Sequence, residues 1–171
     1  WLNYIEFIII ITYGAEKING NPDFFWKKSF GFDRIRHDST SCIVCFTKKC
    51  KKDGTINVPI GRKNNSIIER CVRDDGQEAI THYKILNEFC NNDITYSELL
   101  INLETGRTHQ IRVHTAYIGH SILGDSLYGN KSNLINRQAL HAYKVEFIHP
   151  ITNKQLEFIA PIPDDMKLLL N

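Results

Sequence analysis

One glycine turn in this chain, set between two apolar segments, gathers two arginines and two histidines: Leu103-Glu104-Thr105-Gly106-Arg107-Thr108-His109-Gln110-Ile111-Arg112-Val113-His114. Arginine stays charged at every physiological pH and forks onto phosphate or carboxylate oxygens. Such density at a turn points to a polyanion, or to a carboxylate that must be held. The run continues into Ile118-Gly119-His120-Ser121-Ile122-Leu123-Gly124-Asp125-Ser126-Leu127-Tyr128-Gly129. The two stretches predict a strand, a turn, a short helix and a glycine-rich loop. Thr108 is the expected N-cap of that helix, and Ile111, Val113, Ala116 and Ile118 are its apolar positions. Gly119 is its expected left-handed stop.

The remaining pattern is mostly strand. Ile43 to Thr47 reads as a buried strand, followed by the basic cluster Lys48, Lys49, Lys51 and Lys52, which is either a solvated loop or a phosphate-contacting one. Asp53-Gly54 signals a turn before the alternating Ile56, Val58 and Ile60, and Lys63 to Ser66 forms a loop. Ile80 to Leu86 and Tyr96 to Leu103 pair as a hairpin around Cys90-Asn91-Asn92-Asp93. Leu140 to Ile148 and Gln155 to Ile159 are two further strands, and Asp164 is placed as the cap of a last helical turn. Near the start, Ile5 to Ile11 reads as a strand rich in β-branched residues, and Gly14 to Phe32 as irregular. With more strand than helix, the fold class is α+β with a mixed, mostly antiparallel β-sheet.

A length of 171 residues suits one domain with a real core. A net charge of +2 permits a nucleic-acid partner without demanding one, so any such binding must come from a local patch. The five cysteines, an odd number, fit reduced thiols in an intracellular protein. Cys42 and Cys45 form a C-x-x-C, but no second close pair completes a zinc site, and alternation along a buried strand explains them better. The Ile5 to Ile11 run is too short to cross a bilayer.

These residues resemble a known family. Glu104 to His114 is similar to the signature of the RluA-type RNA pseudouridine synthases, as is Gly119 to Gly129, where the family has Pro at the position of Ser121. Arg137-Gln138-Ala139-Leu140-His141-Ala142, His149-Pro150 and Ala160-Pro161-Ile162-Pro163 resemble its C-terminal blocks in order and spacing. Asp75 to Tyr83 resembles the segment leading into the signature strand. The family's opening strand ends in Lys-Pro-x-Gly, and here the turn is Thr12-Tyr13-Gly14. The resemblance implies a single catalytic domain over residues 1–171, folded as a sheet with flanking helices and loops around an RNA-binding cleft. It implies an enzyme that isomerises uridine in ribosomal or transfer RNA without metal or organic cofactor; the sequence does not set its oligomeric state, and a monomer is the default expectation. Nothing in the chain resembles the S4-type RNA-binding domain that many members carry.

The chemistry must break an N-glycosidic bond, turn the uracil and rejoin it through C5, for which a carboxylate is suited. The uridine must first leave its stack. The family's aspartate stands in His-Arg-Leu-Asp-x-x-Thr-Ser-Gly, and the corresponding stretch here is Asp33-Arg34-Ile35-Arg36-His37-Asp38-Ser39-Thr40-Ser41-Cys42. Counting back from Thr40 puts His37 at the aspartate position; counting forward from Arg34 puts Arg36 there. Asp38 is the nearest carboxylate and the candidate nucleophile; the plain alternative is a turn aspartate. The family's Lys-x-Tyr block has no counterpart between Lys48 and Gly54. Arg112 matches the arginine that pairs with the catalytic carboxylate, with a phosphate-facing surface role as the alternative. Arg107 and His109 are expected to contact RNA or fix the turn, and His109 shares a helix face with Arg112. Leu140 matches a residue lining the uracil pocket, a place compatible with sheet core, and Lys48 and Lys49 are candidate phosphate contacts. His114, His120 and His141 are read as structural hydrogen-bonders, and Asp125 is the runner-up acid. Two functions stand: an active synthase, or an RNA-binding relative that keeps the cleft and lacks the aspartate and tyrosine motifs.

Overall fold

A run in which every residue from Ile43 to Thr47 is apolar or small can be a strand only if both its faces are covered. In a computed structural model, which describes residues 40–91, 93–148 and 152–170, these residues are all buried in β1 (Thr40–Lys48). β2 (Gly54–Asn57), β5 (Ile80–Asn91), β6 (Ile94–Leu103), β7 (Leu140–Ile148) and β8 (Gln155–Ile159) complete a six-stranded sheet of order β2-β5-β6-β1-β7-β8. β1 is antiparallel to β6 on one side and to β7 on the other. β3 (Ile60–Arg62) and β4 (Arg70–Val72) form a separate antiparallel ribbon. The helices are α1 (Gln110–Tyr117) and the single turn α2 (Asp164–Lys167). None of the described helices is long and apolar enough to cross a membrane. The chain divides into two units, Thr40–Glu146 with Glu157–Asn171, and Trp1–Ser39 with Phe147–Leu156. Of the second unit only residues 147–148 and 152–156 are described. The expected strand at Ile5 to Ile11, the irregular Gly14 to Phe32 and the candidate Asp38 lie outside the described residues.

The register accounts for the core. Cross-strand neighbours share a face, so Ile43 with Ile101, and Cys45 with Leu99 and Leu140, build one side. Ile111 of α1, Ile122, Ala139, Met166 and Leu169 belong to the same core. β5 carries one extra residue: Ile85 pairs with Leu99 but Asn87 pairs with Glu98, and the bulged Leu86 is left 43% exposed. A bulge reverses which face the following residues take. Here it turns Phe89 onto the side of Phe46 and Tyr96, where Phe89 meets Phe46 edge-on at 5.2 Å and stacks on Tyr96 at 5.4 Å. Cys42 and Cys45, three apart in a strand, point to opposite faces. Cys45 is fully buried, and burial, with Cys50 beside it, pushes its thiol far up.

Three boundary expectations change. The β5–β6 pairing runs to Asn91 and Ile94, so Cys90 and Asn91 are strand and the turn is tighter than four residues, with Asp93 left-handed at φ 62°. Thr108 does not cap α1; His109 does, in a left-handed conformation at φ 59°, with no side-chain cap bond. Pro163, not Asp164, precedes α2 as its cap. Gly119 does end α1 as expected, at φ 82°. Its N–H bonds Ala116 O at 3.0 Å and the next N–H, of His120, bonds Thr115 O at 2.8 Å, which is the Schellman arrangement.

Gly124 carries a harder constraint. It sits at φ 76°, and a Cβ there would come within 2.2 Å of the Arg137 carbonyl oxygen, whereas a Cβ on Gly119 would meet nothing. Gly119→Ala should therefore cost about 1 kcal/mol, for the backbone conformation alone, and Gly124→Ala about 3 kcal/mol. Urea unfolding of the two variants beside the parent checks this, and equal losses would contradict it.

Candidate functional site

The strand-turn-helix segment is held by one side chain. Gln110 is 2% exposed at the first turn of α1, and a buried amide must have its bonds made. Its oxygen accepts from the Arg107 N–H at 2.8 Å and from the Thr105 hydroxyl at 2.9 Å. Its nitrogen donates to Ile80 O and to the Thr81 hydroxyl, both at 3.0 Å. The Thr105 hydroxyl in turn accepts the Ile80 N–H at 2.8 Å. The start of β5, the turn and the start of α1 are thus one bonded unit.

The chain of donors continues into the core. His114 is fully buried with Nε2 3.1 Å from Val58 O and Nδ1 2.9 Å from the Thr81 hydroxyl. A carbonyl only accepts, so Nε2 carries the proton. Thr81 then donates to Nδ1 while accepting from Gln110. Burial holds the His114 imidazole below its ordinary range. His141 bonds Ala160 O at 3.1 Å, so both act as the structural hydrogen-bonders expected of them. His120 differs: its Nδ1 is buried without a partner among the described residues.

On the outer side of α1 the charged groups converge. Arg112 Nε lies 2.7 Å from Asp125 Oδ2 and an Arg112 terminal nitrogen 2.8 Å from Asp125 Oδ1, a bidentate pair. The Asp125 carboxylate is fully buried and the Arg112 side chain 16% exposed. Asp125 Oδ1 also accepts the N–H groups of Leu127 and Tyr128, at 3.0 and 3.1 Å. Burial opposes the Asp125 charge, but the Arg112 bonds and the two backbone donors outweigh it and hold the carboxyl below its usual range. Fully buried and accepting four hydrogen bonds, Asp125 is the anchor of Arg112.

The Tyr128 ring lies under the Arg112 guanidinium at 5.0 Å and meets the His109 ring edge-on at 5.6 Å. Its hydroxyl accepts the Arg70 N–H at 2.8 Å and lies 2.8 Å from His109 Nδ1. The hydroxyl and His109 Nδ1 share one hydrogen between them. Burial, then the positive charges of Arg112 and Arg70, hold His109 below its ordinary range. His109 and Arg112 share one helix face, as the spacing predicted. The left-handed His109 is one of four non-glycine residues at positive φ among those described, and strain of this kind concentrates at sites.

The other candidates are spread. Arg107 Nε donates to Glu78 O at 2.7 Å, which fixes the turn. Leu140 pairs with Cys45 on β7 and packs against the core. Lys48 and Lys49 are exposed where β1 ends, with Lys49 3.1 Å from Glu88. Gln110, Tyr128 and Arg70 were given no role from sequence. Tyr128 had one legible signal, its place in the glycine-flanked loop; the other two had none.

Residues 34–117 match the family model described as RNA pseudouridylate synthase, a span that contains both Asp38 and Arg112. The chain is 48% identical over 127 residues to the Bacillus subtilis protein named uncharacterized RNA pseudouridine synthase YjbO, covering 74% of this chain and 44% of that one. It is 42% identical over 127 residues to ribosomal large subunit pseudouridine synthase D of Vibrio cholerae, covering 66% and 38%. The chain belongs to the RluA-type RNA pseudouridine synthase family. It spans less than half the length of these curated relatives. The solved structure of human RNA pseudouridylate synthase domain containing 1 superposes with a TM-score of 0.65 at 25% identity, over 74% of this chain and 55% of that one. Human RNA pseudouridylate synthase domain containing 4 shares the fold, with a TM-score of 0.57 at 17% identity. The α+β pseudouridine synthase fold expected from the sequence is therefore present, and Arg112 lies within the residues that match the family model, with Asp125 and Tyr128 beyond them.

Two outcomes follow from the geometry. Arg112→Met leaves the buried Asp125 carboxylate unpaired and should cost about 3 kcal/mol. Adding Asp125→Leu should recover only part of that, because the N–H groups of Leu127 and Tyr128 lose their acceptor; urea midpoints of the three proteins check it. The two histidines give a pH dependence. Their pKa values in the folded state lie below the ordinary 6.5, so the unfolded chain binds more protons there. The stability they contribute is complete above that value and is lost as pH falls through it. Urea midpoints should drop between about pH 7 and pH 5, and drop less in His114→Gln, whose amide keeps a donor toward Val58 O. An unchanged slope in that variant would remove His114 from the account.

Proposed function

We propose that the chain is an RNA pseudouridine synthase that converts uridine to pseudouridine in structured RNA. The observation that carries the proposal is the state of Arg112. Asp125 takes two of its five N–H groups and fixes its plane, and the others are left for a second anion at a partly exposed position. Beside it, Tyr128 bonds both His109 and the Arg70 N–H. Such a fixed cation suits a reaction that needs a carboxylate kept ionised near a polyanion.

Asp38 supplies that carboxylate in this proposal, on the family resemblance. Its carboxylate attacks C1′ and displaces N1 of the flipped-out uridine, the uracil turns, C5 attacks C1′ and displaces Asp38, and the proton lost from C5 is matched by one taken up at N1, so atoms balance with no cofactor. Arg112 holds Asp38 charged. Leu140 serves the uracil pocket and Lys48 and Lys49 the phosphates. Ribosomal RNA is the favoured substrate, supported by the printed name of the Vibrio cholerae relative; transfer RNA is the other.

One observation favours a second function, an RNA holder without catalysis. Between the end of β1 at Lys48 and the start of β2 at Gly54 there are five residues, Lys49 to Asp53, and none is a tyrosine. Tritium release from C5-labelled uridine in bulk RNA separates the two. Release should occur in the parent and fall to background in Asp38→Asn. RNA binding without release would leave the holder, and full release by Asp38→Asn would remove Asp38 from the chemistry. Replacing Lys48 and Lys49 with Gln should flatten the salt dependence of RNA binding, by about 1 to 2 in the slope of log K against log salt.

A further inference from the structure

The isomerisation moves a proton from C5 to N1 of the uracil. Once C5 has joined C1′, that carbon still bears its hydrogen, between the C4 carbonyl and a C6=N1 double bond. Removing it takes a base beside the ring. Asp38 is a poor one, because a carboxylate held ionised by a guanidinium has little affinity for a proton. The Arg112 cluster offers few others. Arginine does not give up its proton. Asp125 is buried and already accepts four hydrogen bonds. Burial pushes the Tyr128 phenol up, so it is no base at neutral pH. His114 is buried with both ring nitrogens bonded. His109 is left.

Its geometry suits the task. His109 stands at the entry to α1, half-buried, on the face that carries Arg112. Among the described residues its ring is hydrogen-bonded through Nδ1 alone, to the Tyr128 hydroxyl at 2.8 Å. That hydroxyl is fixed in turn by the Arg70 N–H, also at 2.8 Å. A hydroxyl oxygen accepts two hydrogens, so it can take one from Arg70 and one from Nδ1. With the shared hydrogen on Nδ1, Nε2 presents a bare lone pair. The Tyr128 ring, edge-on to the imidazole at 5.6 Å, limits its tilt. A histidine held through one nitrogen and open at the other is arranged for proton transfer. The left-handed backbone at φ 59° costs a histidine energy that a glycine would not lose, and such strain gathers where a side chain has a task. The charged groups facing the ring are Arg112 on α1, Arg70 on β4 and Asp125 in the loop. Burial and the two cations together outweigh Asp125, so the imidazole is neutral at pH 7. The same cations make an imidazolium there quick to give its proton back.

We propose that His109 is a catalytic residue of the isomerisation, whose Nε2 takes the proton from C5 and returns it to N1. The C5–H bond breaks and an Nε2–H bond forms. The C5–H electron pair becomes the C5=C6 double bond, and the C6=N1 pair moves onto N1. N1 then takes the proton from Nε2, and the imidazole is neutral again with nothing oxidised or reduced. Tyr128 is the positioning residue for that imidazole. This inference rests on the synthase reading and assigns its last step.

The test uses the whole chain. His109→Gly keeps the left-handed backbone and opens space for a small base. The kcat for tritium release from C5-labelled uridine in bulk RNA should fall about 100-fold, with KM within about twofold. Added imidazole should raise the variant's rate about tenfold, in proportion to its unprotonated fraction as pH is varied. Pseudouridine formation from RNA deuterated at uridine C5 should slow in the variant and not in the parent. Tyr128→Phe keeps the ring and loses the bond to Nδ1, and its kcat should fall about tenfold. A His109→Gly rate equal to the parent's overturns the assignment. A loss with neither imidazole rescue nor deuterium effect marks a structural histidine and overturns it too. If the parent binds RNA and releases no tritium, the synthase reading falls and this step with it. If the parent releases tritium, Asp38→Asn does not and His109→Gly is unimpaired, only His109 is removed.

Discussion

A guanidinium can serve chemistry at a solvent-edged site only if something else decides where it points. In this protein the buried carboxylate of Asp125 does so. Its two oxygens hold two nitrogens of Arg112 in one plane, and two backbone donors from the following loop hold the carboxylate. The cost of burying that negative charge is offset by four hydrogen bonds, of which the two to Arg112 are charge-assisted. Much else follows from the pair. The loop after Gly124 must turn back tightly enough to aim Asp125 at α1, and this puts Tyr128 beneath the guanidinium and its hydroxyl beside His109.

The pair needs a helix whose start does not move, and a neutral relay secures it. Gln110, Thr81 and His114 form an uninterrupted sequence of donors and acceptors from the Arg107 N–H to the Val58 carbonyl. Each buried group has one arrangement that satisfies all the others, so the relay selects a single register of α1 over the sheet. The left-handed His109 becomes intelligible in the same terms. The chain must leave the turn and enter α1 with Gln110 pointing inward and His109 outward, and the start of α1 is held by the Gln110 amide bonding back to the turn and to β5, with no side-chain cap bond.

The sheet was largely legible in the sequence, because strand signals are local: β7 and β8 fall on the predicted residues, and β1, β5 and β6 extend the predicted ones. Gly119 was legible for the same reason, as a glycine closing an apolar period. Caps were not, since Thr108 and His109 are both able to cap and the choice is made by Gln110 reaching residues about thirty positions away on β5. The Leu86 bulge was hidden because it serves Phe89, whose partner Phe46 is remote in sequence. At the site, the placing of His109 and Arg112 on one face came from helical spacing alone. That Asp125 holds Arg112 could not be read from spacing, because a glycine-flanked aspartate looks alike whether it caps its own loop or reaches a helix. Here it does both.

The anchoring of Arg112 by Asp125 also bears on how a second acid would act there. A guanidinium already neutralised by a buried carboxylate is a weaker attractor of charge than a free one, so it would lower the pKa of a second carboxylate less. What it keeps is direction: its remaining N–H groups point outward from a fixed plane, and hydrogen bonds to an ionised carboxylate depend on geometry as much as on net charge. Net attraction for a polyanion must then come from elsewhere. The whole chain carries only +2, so the field has to be local, from Arg70, Arg107 and the Arg62 that faces Arg70 across the ribbon. Holding and attracting are thus divided between different arginines. In the proposed reaction Arg112 is spent on orientation, and the arginines without carboxylate partners would meet the phosphates.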